Sequence, residues 1–257
     1  MSAEAGPDAF LDGFLDGAVR VRQSPDGYRA GADAAFLAAA IRARPGERLL
    51  EPGCGPGAAL LMAAHRLPEC SFTGLEREPA AAQLARDNAR ANGVEGRVEI
   101  LEGDVAAPPA ALRGAAFDQV FLNPPFYRPG EGRAPAAARQ GAYLEGEGGL
   151  GVWLDFALRR LTDRGRLTLI HRADRLGEIL SLLEGRAGAV AVKPLAPAAD
   201  APAVRVVVAA RKGGKTPLRL LPPLVLHGGG AGAHSPQADA ILRGRAALDM
   251  GESCAGS

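Results

Sequence analysis

The stretch "LLEPGCGPG", residues 49–57, ends an apolar segment at a carboxylate, Glu51, and continues with Gly53, Gly55 and Gly57. A glycine turn between a strand and a helix lets a ligand approach the backbone closely, because glycine has no side chain and accepts unusual φ angles. The glycines alternate as G-x-G-x-G, which is not the G-x-G-x-x-G spacing of dinucleotide-binding turns. The stretch predicts a ligand-binding turn, although a plain strand-to-helix connection would also explain it.

Strands and helices alternate on the carboxyl-terminal side of this turn. Strands are predicted at residues 47–52, 71–78, 97–104, 117–123 and 165–171, and helices at 31–43, 57–67, 79–93, 151–161 and 174–185. This alternation indicates an α/β fold with a mostly parallel, doubly wound sheet. No helix separates the strands at 189–195 and 203–214, which predicts an antiparallel hairpin at the edge of the sheet.

We expect one domain at residues 33–215, preceded by an arm of residues 1–32 that contributes to the site. An extension of residues 216–257 would pack on the domain, with one short helix at 236–248 and disordered last residues. The chain has 257 residues, of which 47% are hydrophobic, enough for a sizeable core. The net charge of +1 argues against general polyanion binding and leaves room for a local basic surface.

The three cysteines, Cys54, Cys70 and Cys254, show no CxxC spacing and no histidine cluster, so neither a metal site nor a disulfide framework is predicted. No apolar run approaches the roughly 20 residues of a membrane span. The amino terminus has no signal-peptide pattern. The expected location is the cytoplasm.

Two further carboxylates, Glu76 and Asp104, end the second and third predicted strands after Glu51 ends the first. The carboxyl ends of parallel strands meet at one edge, where α/β sheets bind ligands, and a carboxylate there can accept both hydroxyls of a ribose. The order of these features resembles the class I S-adenosylmethionine-dependent methyltransferases. The resemblance implies a Rossmann-like, seven-stranded sheet of order 3-2-1-4-5-7-6 with strand seven antiparallel.

The same resemblance implies S-adenosylmethionine as cofactor. By position, Glu51 and the backbone of Gly53, Cys54 and Gly55 would face its methionine moiety. Glu76 would hold its ribose, and Asp104 would lie near its adenine amine. Cys54 is interpreted as a small residue that fills the turn, not as a nucleophile.

The fourth strand runs into "VFLNPPFYRPG", residues 120–130, where Asn123 precedes Pro124, Pro125 and Phe126. A conjugated amine is a poor nucleophile until its nitrogen is bent towards tetrahedral geometry. Asn123 Oδ1 and the Pro124 carbonyl could accept its two hydrogens, with the carbonyl aimed because Pro125 restricts the preceding residue to extended geometry. Phe126 or Tyr127 could then stack on a flat base.

Without the preceding turn, these residues would fit a simple strand end. With it, the N-P-P-[FYW] pattern resembles the signature of amino-group methyltransferases that act on adenine N6, guanine N2 or protein glutamine. Asn123 would also lie beside the cofactor.

The segment 20–41 resembles the entry segment of bacterial tRNA(Val) adenine-N6 methyltransferases, which belong to the small-domain methyltransferases with an N-P-P-[FY] motif. Gln23, Tyr28, Arg29, Gly31 and Asp33 carry this likeness, together with residues 211–215 and 224–227. The resemblance implies methyl transfer to the adenine 3′ of a tRNA anticodon. Relatives often carry an aromatic where His234 and Ser235 stand here.

Arg29 is predicted either to pair with the methionine carboxylate or to be a solvated charge, and Asp33 to be a helix N-cap. Phosphate contacts are predicted for six basic residues, Arg128, Arg133, Arg139, Arg211, Lys212 and Lys215. His171 is interpreted as structural. Glutamine N5 methylation of a release factor, guanine-N2 methylation of ribosomal RNA and a non-catalytic S-adenosylmethionine-binding RNA protein remain alternatives. Glutamine methyltransferases usually carry an amino-terminal helical bundle, for which there is little room before Arg48.

Overall fold

The computed structural model describes residues 10–24, 29–126, 148–228 and 233–251. A two-stranded hairpin precedes a nine-stranded sheet. The hairpin strands are β1 (Phe10–Phe14) and β2 (Val19–Gln23). The sheet strands are β3 (Arg48–Pro52), β4 (Ser71–Glu76), β5 (Val98–Glu102), β6 (Phe117–Leu122), β7 (Leu161–Arg172), β8 (Ala187–Ala196), β9 (Arg205–Lys212), β10 (Arg219–Leu220) and β11 (Leu224–Val225). The α-helices are α1 (Ala32–Ala40), α2 (Ala58–Arg66), α3 (Pro79–Ala91), α4 (Gly149–Arg160), α5 (Leu176–Leu183) and α6 (Pro236–Leu242).

Seven strands run in the spatial order β5-β4-β3-β6-β7-β9-β8, which confirms the predicted order 3-2-1-4-5-7-6. β9 is antiparallel to both β7 and β8, and the other pairs among the seven are parallel. The predicted hairpin is therefore β8–β9. The expectation that it forms the edge is wrong, because the short strands β10 and β11 pair with the outer side of β8.

Apolar side chains cover both faces of the sheet, which is why its strands read as nearly continuous hydrophobic runs. One face is packed by α1, α2 and α3, with Leu37, Leu60 and Met62 fully buried. The other face is packed by α4 and α5, with Leu154 and Ile179 fully buried. No helix among the described residues is both long and apolar enough to span a bilayer.

The amino-terminal hairpin was not predicted, because its residues were interpreted as part of a polar arm. Val19 and Val21 alternate inward on β2 and are buried. Two asparagines of α3 hold the outer edge of β2: Asn88 bonds the backbone of Arg22, and Asn92 bonds the backbone of Arg20. The hairpin therefore packs on the face of the sheet that α1, α2 and α3 cover.

Candidate active site

The glycine turn after β3 is built on left-handed backbone geometry. Gly53, Gly55 and Gly57 have φ angles of 69°, 54° and 89°. The amides of Gly53 and Cys54 both donate to the Leu75 carbonyl, at 2.7 and 3.1 Å, so β4 holds the turn in place. A Cβ atom at Gly55 would meet no atom of the described residues within 4 Å, and a ligand can therefore approach the turn at this position.

Trp153 of α4 closes the other side of this turn. A Cβ at Gly53 would lie 2.7 Å from two carbons of the Trp153 ring, closer than packed atoms allow. Trp153 was not predicted as a site residue, although it is the chain's only tryptophan and lies in the first turn of a predicted helix.

Glu51 is a buried acid at the end of β3, only 3% exposed. Its Oε2 atom has no hydrogen-bond partner among the described residues. Burial raises the pKa of this carboxyl well above its usual range, and the nearby Glu76 adds to the effect, while a hydrogen bond from the Leu60 backbone opposes it. A cationic, N–H-bearing group would stabilise both the oxygen and the charge. The α-ammonium of a methionine moiety has that chemistry, so Glu51 fits the predicted cofactor.

Glu76 ends β4 and braces the turn from the other side. Its Oε2 accepts from the Gly55 amide at 2.8 Å, and its Oε1 accepts from the Glu78 amide at 2.9 Å. Each carboxylate oxygen can accept more than one hydrogen bond, so the predicted ribose contact is compatible with these bonds and stays a prediction.

Asp104 follows β5 at the same edge. Its Oδ1 accepts from the Ala106 amide at 2.8 Å. The next residues, Val105 and Ala106, line a groove of about 470 Å³ against Gly151 and Val152 of α4. The predicted contact of Asp104 with the adenine amine also stays a prediction.

The thiol of Cys54 is not poised for nucleophilic chemistry. Cys54 is buried, and burial together with Glu51 and Glu76 raises the pKa of its thiol well above the usual value. A Cβ on Gly74 would lie 2.7 Å from its Sγ, so this thiol fills the space between turn and sheet. The geometry agrees with the interpretation of Cys54 as a packing residue.

The clamp sequence lies beside the glycine turn because β6 is the direct neighbour of β3. Leu49 pairs with Gln119 and Leu50 with Val120, so Asn123 leaves the sheet at the level of Gly53. Neighbouring strands lie about 5 Å apart. The Oδ1 atom of Asn123 and the residue Pro124 are buried.

Phe126 does not project from the clamp as a free stacking surface. Its side chain is only 6% exposed. The ring meets His171 edge-on, with centroids 5.2 Å apart, and lies under the guanidinium of Arg205, 4.8 Å from its centroid. Of the two residues predicted to stack on a base, Phe126 is therefore packed into the protein, and Tyr127 lies outside the described residues.

His171 is buried at the carboxyl end of β7. Burial and the nearby Arg175 lower the pKa of its imidazole to about 4. The side chain is therefore neutral at neutral pH, which agrees with the structural role predicted for it.

Arg29 and Asp33 both have protein partners. Arg29 binds Asp12 of β1 through its Nε and a terminal nitrogen, at 3.1 and 2.7 Å, so a contact with a methionine carboxylate has to compete with this pair. The prediction that Asp33 caps α1 is wrong: the N-cap residue is Gly31, and Asp33 in the first turn binds Arg205 Nε at 2.9 Å.

The predicted phosphate-binding residues that the structure describes, which are Arg211, Lys212 and Lys215, do not lie at the clamp. Arg128, Arg133 and Arg139 lie outside the described residues. Because β9 is antiparallel to β7, it begins with Arg205 opposite Arg172, at the end of the sheet where the clamp lies. It ends near Arg211, which is opposite Arg166 at the other end of the sheet. Six residues of strand span about 20 Å. The three basic residues at the end of β9 and beyond it therefore lie towards the end of the sheet opposite the clamp; they are Arg211, Lys212 and Lys215. One of them, Lys212, donates its Nζ to the Leu161 carbonyl.

Among the described residues, no group of three or more histidine, cysteine, aspartate or glutamate side chains could hold a metal ion.

The sequence matches the family model described as "Methyltransferase small domain" over residues 29–141. It is 30% identical to a tRNA1(Val) (adenine(37)-N6)-methyltransferase of Actinobacillus succinogenes, over 64% of this chain and 69% of that protein. A protein of the same name from Porphyromonas gingivalis is 32% identical, over 62% of this chain and 64% of the relative, just under two thirds of its length.

A crystal structure of an Agrobacterium tumefaciens protein, described as a predicted O-methyltransferase, superposes with a TM-score of 0.70 at 28% identity. The superposition covers 84% of this chain and 98% of that one.

Proposed function

The chain belongs to the family of tRNA1(Val) (adenine(37)-N6)-methyltransferases, and from this premise we propose that it methylates the exocyclic amine of an adenine in tRNA. The methyl donor in this proposal is S-adenosylmethionine, and the acceptor base lies next to the anticodon.

The observation that carries the proposal is the pairing of β3 with β6. It places the turn that begins at Gly53 and the clamp that begins at Asn123 at one level of one sheet edge. Direct transfer between two bound molecules needs their reacting atoms side by side, and such alignment can lower a barrier by as much as about 7–11 kcal/mol. The arrangement supports transfer without a covalent enzyme intermediate.

When bound, S-adenosylmethionine supplies an activated methyl group on a sulfonium sulfur. Glu51 would bind the ammonium end through the oxygen that has no partner among the described residues. The backbone at Gly55 would allow close approach. Glu76 would accept from the ribose hydroxyls, and Asp104 would contact the adenine amine.

On the acceptor side, Asn123 Oδ1 and the Pro124 carbonyl would each accept one hydrogen of the target amine. This pair of bonds bends the nitrogen and aims its lone pair at the donor. A strong general base is unnecessary, because the proton can leave after the nitrogen becomes cationic. The neutral, buried imidazole of His171 is not needed as a base.

The acceptor base has to leave its stack to enter such a clamp. Tyr127 is the proposed stacking residue, and the proposed phosphate contacts are Arg128, Arg133 and Arg139, which follow it in the sequence. Arg211, Lys212 and Lys215 could reach only a part of the RNA distant from the target base, because they lie towards the other edge of the sheet.

The test is transfer of a tritiated methyl group to three acceptor pools: bulk tRNA, ribosomal RNA and release factors, each from a strain that lacks this gene. Labelled RNA is digested to nucleosides and labelled protein to amino acids, and the products are separated. Label in N6-methyladenosine from tRNA is the expected result. Label in N2-methylguanosine or in N5-methylglutamine would refute the adenine assignment.

The matched variants are Asn123→Ala in the clamp and Gln83→Ala on the exposed surface of α3, where Gln83 bonds Asp87 and Arg86. We expect the first to abolish most of the label and the second to leave it unchanged. A binding protein without catalysis would show no label in any pool, while still retaining the cofactor on a filter.

A further inference from the structure

Phe126 contacts side chains from two other elements of the fold, and a third element binds one of those side chains. Arg205 from β9 lies over its ring and His171 from β7 meets its edge. Asp33 from α1 binds the Nε of Arg205 at 2.9 Å. Arg205 and Asp33 are partly shielded, with side-chain exposures of 28% and 23%.

The fold explains why these residues meet. Arg205 is the first residue of β9, and the antiparallel pairing with β7 places it at the end of the sheet where Asn123 leaves β6. α1 packs against both β7 and β9, which brings its first turn to the same place. The contact therefore depends on three elements far apart in the sequence.

We propose that Arg205 is a positioning residue for methyl transfer. Its guanidinium, oriented by Asp33, holds the Phe126 ring against His171 and thereby sets the backbone of Asn123 and Pro124. This inference rests on the proposed function, since it assumes that the Asn123–Pro124 pair binds the acceptor amine. It also assigns Phe126 the role of an anchor, which leaves base stacking to another residue.

The requirement for an anchor follows from the chemistry of the clamp. The Pro124 carbonyl is useful only if it points at the amine, and a displacement of 1 Å can cost about 10²-fold in rate. On the amino-terminal side of the clamp, β6 fixes the position of Asn123. On its carboxyl-terminal side, the buried side chain of Phe126 provides the corresponding contact. A planar guanidinium can both stack on a ring and donate through Nε to a carboxylate, and an ammonium cannot do both.

The test compares Arg205→Lys and Asp33→Asn with a matched control, Arg243→Lys. Like Arg205, Arg243 donates its Nε to a carboxylate, that of Asp239 on α6, and one of its terminal nitrogens binds Asp16. We expect Arg205→Lys to lower kcat about 10–100-fold while KM for tRNA and the cofactor Kd change less than about threefold. Asp33→Asn should lower kcat in the same direction, and the double variant should lose no more than Arg205→Lys alone, because both residues act through one contact. Arg243→Lys should match the wild type.

Two kinetic results would overturn the proposal. One is an unchanged kcat in Arg205→Lys. The other is a raised KM for tRNA at constant kcat, together with a weaker dependence of KM on salt than in the wild type, which is the signature of a lost phosphate contact.

Hydrogen exchange gives a readout that does not need methyl transfer. Pro124 and Pro125 have no amide hydrogen, so the amides of Asn123 and Phe126 report on the clamp. We expect faster exchange at these two amides in Arg205→Lys and wild-type rates in Arg243→Lys. Equal rates in all three proteins would refute the anchor. If the wild type labels no acceptor while exchange responds as expected, the proposed function fails and the anchor stands.

Discussion

Gly53 and Gly55 provide a paired test of how the cofactor turn is built. Both have positive φ angles, 69° and 54°, so replacement by alanine forces each into a conformation that costs an L-residue about 1–2 kcal/mol. At Gly53 the new methyl group would lie 2.7 Å from the Trp153 ring, whereas at Gly55 it would meet no described residue within 4 Å. Forcing an extra methyl group into a packed site adds about 1–3 kcal/mol.

We therefore expect Gly53→Ala to lower the free energy of unfolding by about 2–5 kcal/mol and Gly55→Ala by about 1–2 kcal/mol. The measurement is urea unfolding of both variants and the wild type. Because Trp153 is the only tryptophan, its emission should shift in Gly53→Ala and not in Gly55→Ala.

The loss of cofactor affinity should not follow the loss of stability in these two variants. The Gly55→Ala methyl group enters space where a ligand would approach the turn, so cofactor affinity should fall more than stability does. Equal losses of stability in the two variants, together with unchanged Trp153 emission, would show that Trp153 does not pack on Gly53 and would refute this account of the turn.

Three further predictions concern Asn123, Glu51 and His171. Asn123→Ala should lower kcat about 10²–10³-fold, which is the cost of removing one preorganised hydrogen-bonding group. The cofactor Kd, measured by equilibrium dialysis, should stay within about twofold of the wild type. If cofactor affinity collapsed while kcat was retained, the role of Asn123 would be in binding the cofactor and not in binding the acceptor amine. Glu51→Gln keeps the shape but removes the charge, and should weaken cofactor binding by about 1.5–3 kcal/mol; an unchanged Kd in calorimetry would contradict the ammonium contact. For His171, the pKa falls from 6.5 to about 4 on folding. The unfolded chain therefore takes up a proton that the folded chain does not. The contribution of His171 to the free energy of unfolding is therefore complete above pH 6.5, and about 3 kcal/mol of it is lost as the pH falls to 4. In His171→Gln this part of the slope should disappear from denaturation curves measured across that range, and an identical slope in both proteins would show that His171 titrates normally.

The alternation of strands and helices could be predicted from the chain because local signals agree along its length, whereas the order of the seven main strands was implied by the resemblance to class I methyltransferases. Glycines follow β3, acids end successive strands, and Pro79 and Gly93 bracket α3. The hairpin β1–β2 escaped prediction because β1 has no buried residue and β2 alternates buried with exposed residues, so neither strand forms a continuous apolar run. β10 and β11 escaped because two residues carry no periodic pattern.

The residues of the glycine turn and the clamp were identifiable because each motif is contiguous and its chemistry depends on residue type. Their partners were not. Trp153 against Gly53, Asp12 against Arg29, and Arg205 against Asp33 and Phe126 are contacts between distant segments. No local pattern marks these residues, because strand direction and helix packing bring each pair together.

The sequence by itself determined the fold class, the edge of the sheet at which chemistry can occur, and the acids and amide placed there, since these follow from composition and short-range order. Only the tertiary structure decided what surrounds them. In the structure, Phe126 is buried under Arg205, and Asp33 forms an ion pair with Arg205 and does not cap α1. The basic residues at the end of β9 and beyond it lie far from the clamp, namely Arg211, Lys212 and Lys215. The physical reason is strand direction. Because β9 runs antiparallel to its neighbours, its first residue lies at the end of the sheet where the parallel strands finish, and its last residue lies at the opposite end. Pairing between strands decides this direction.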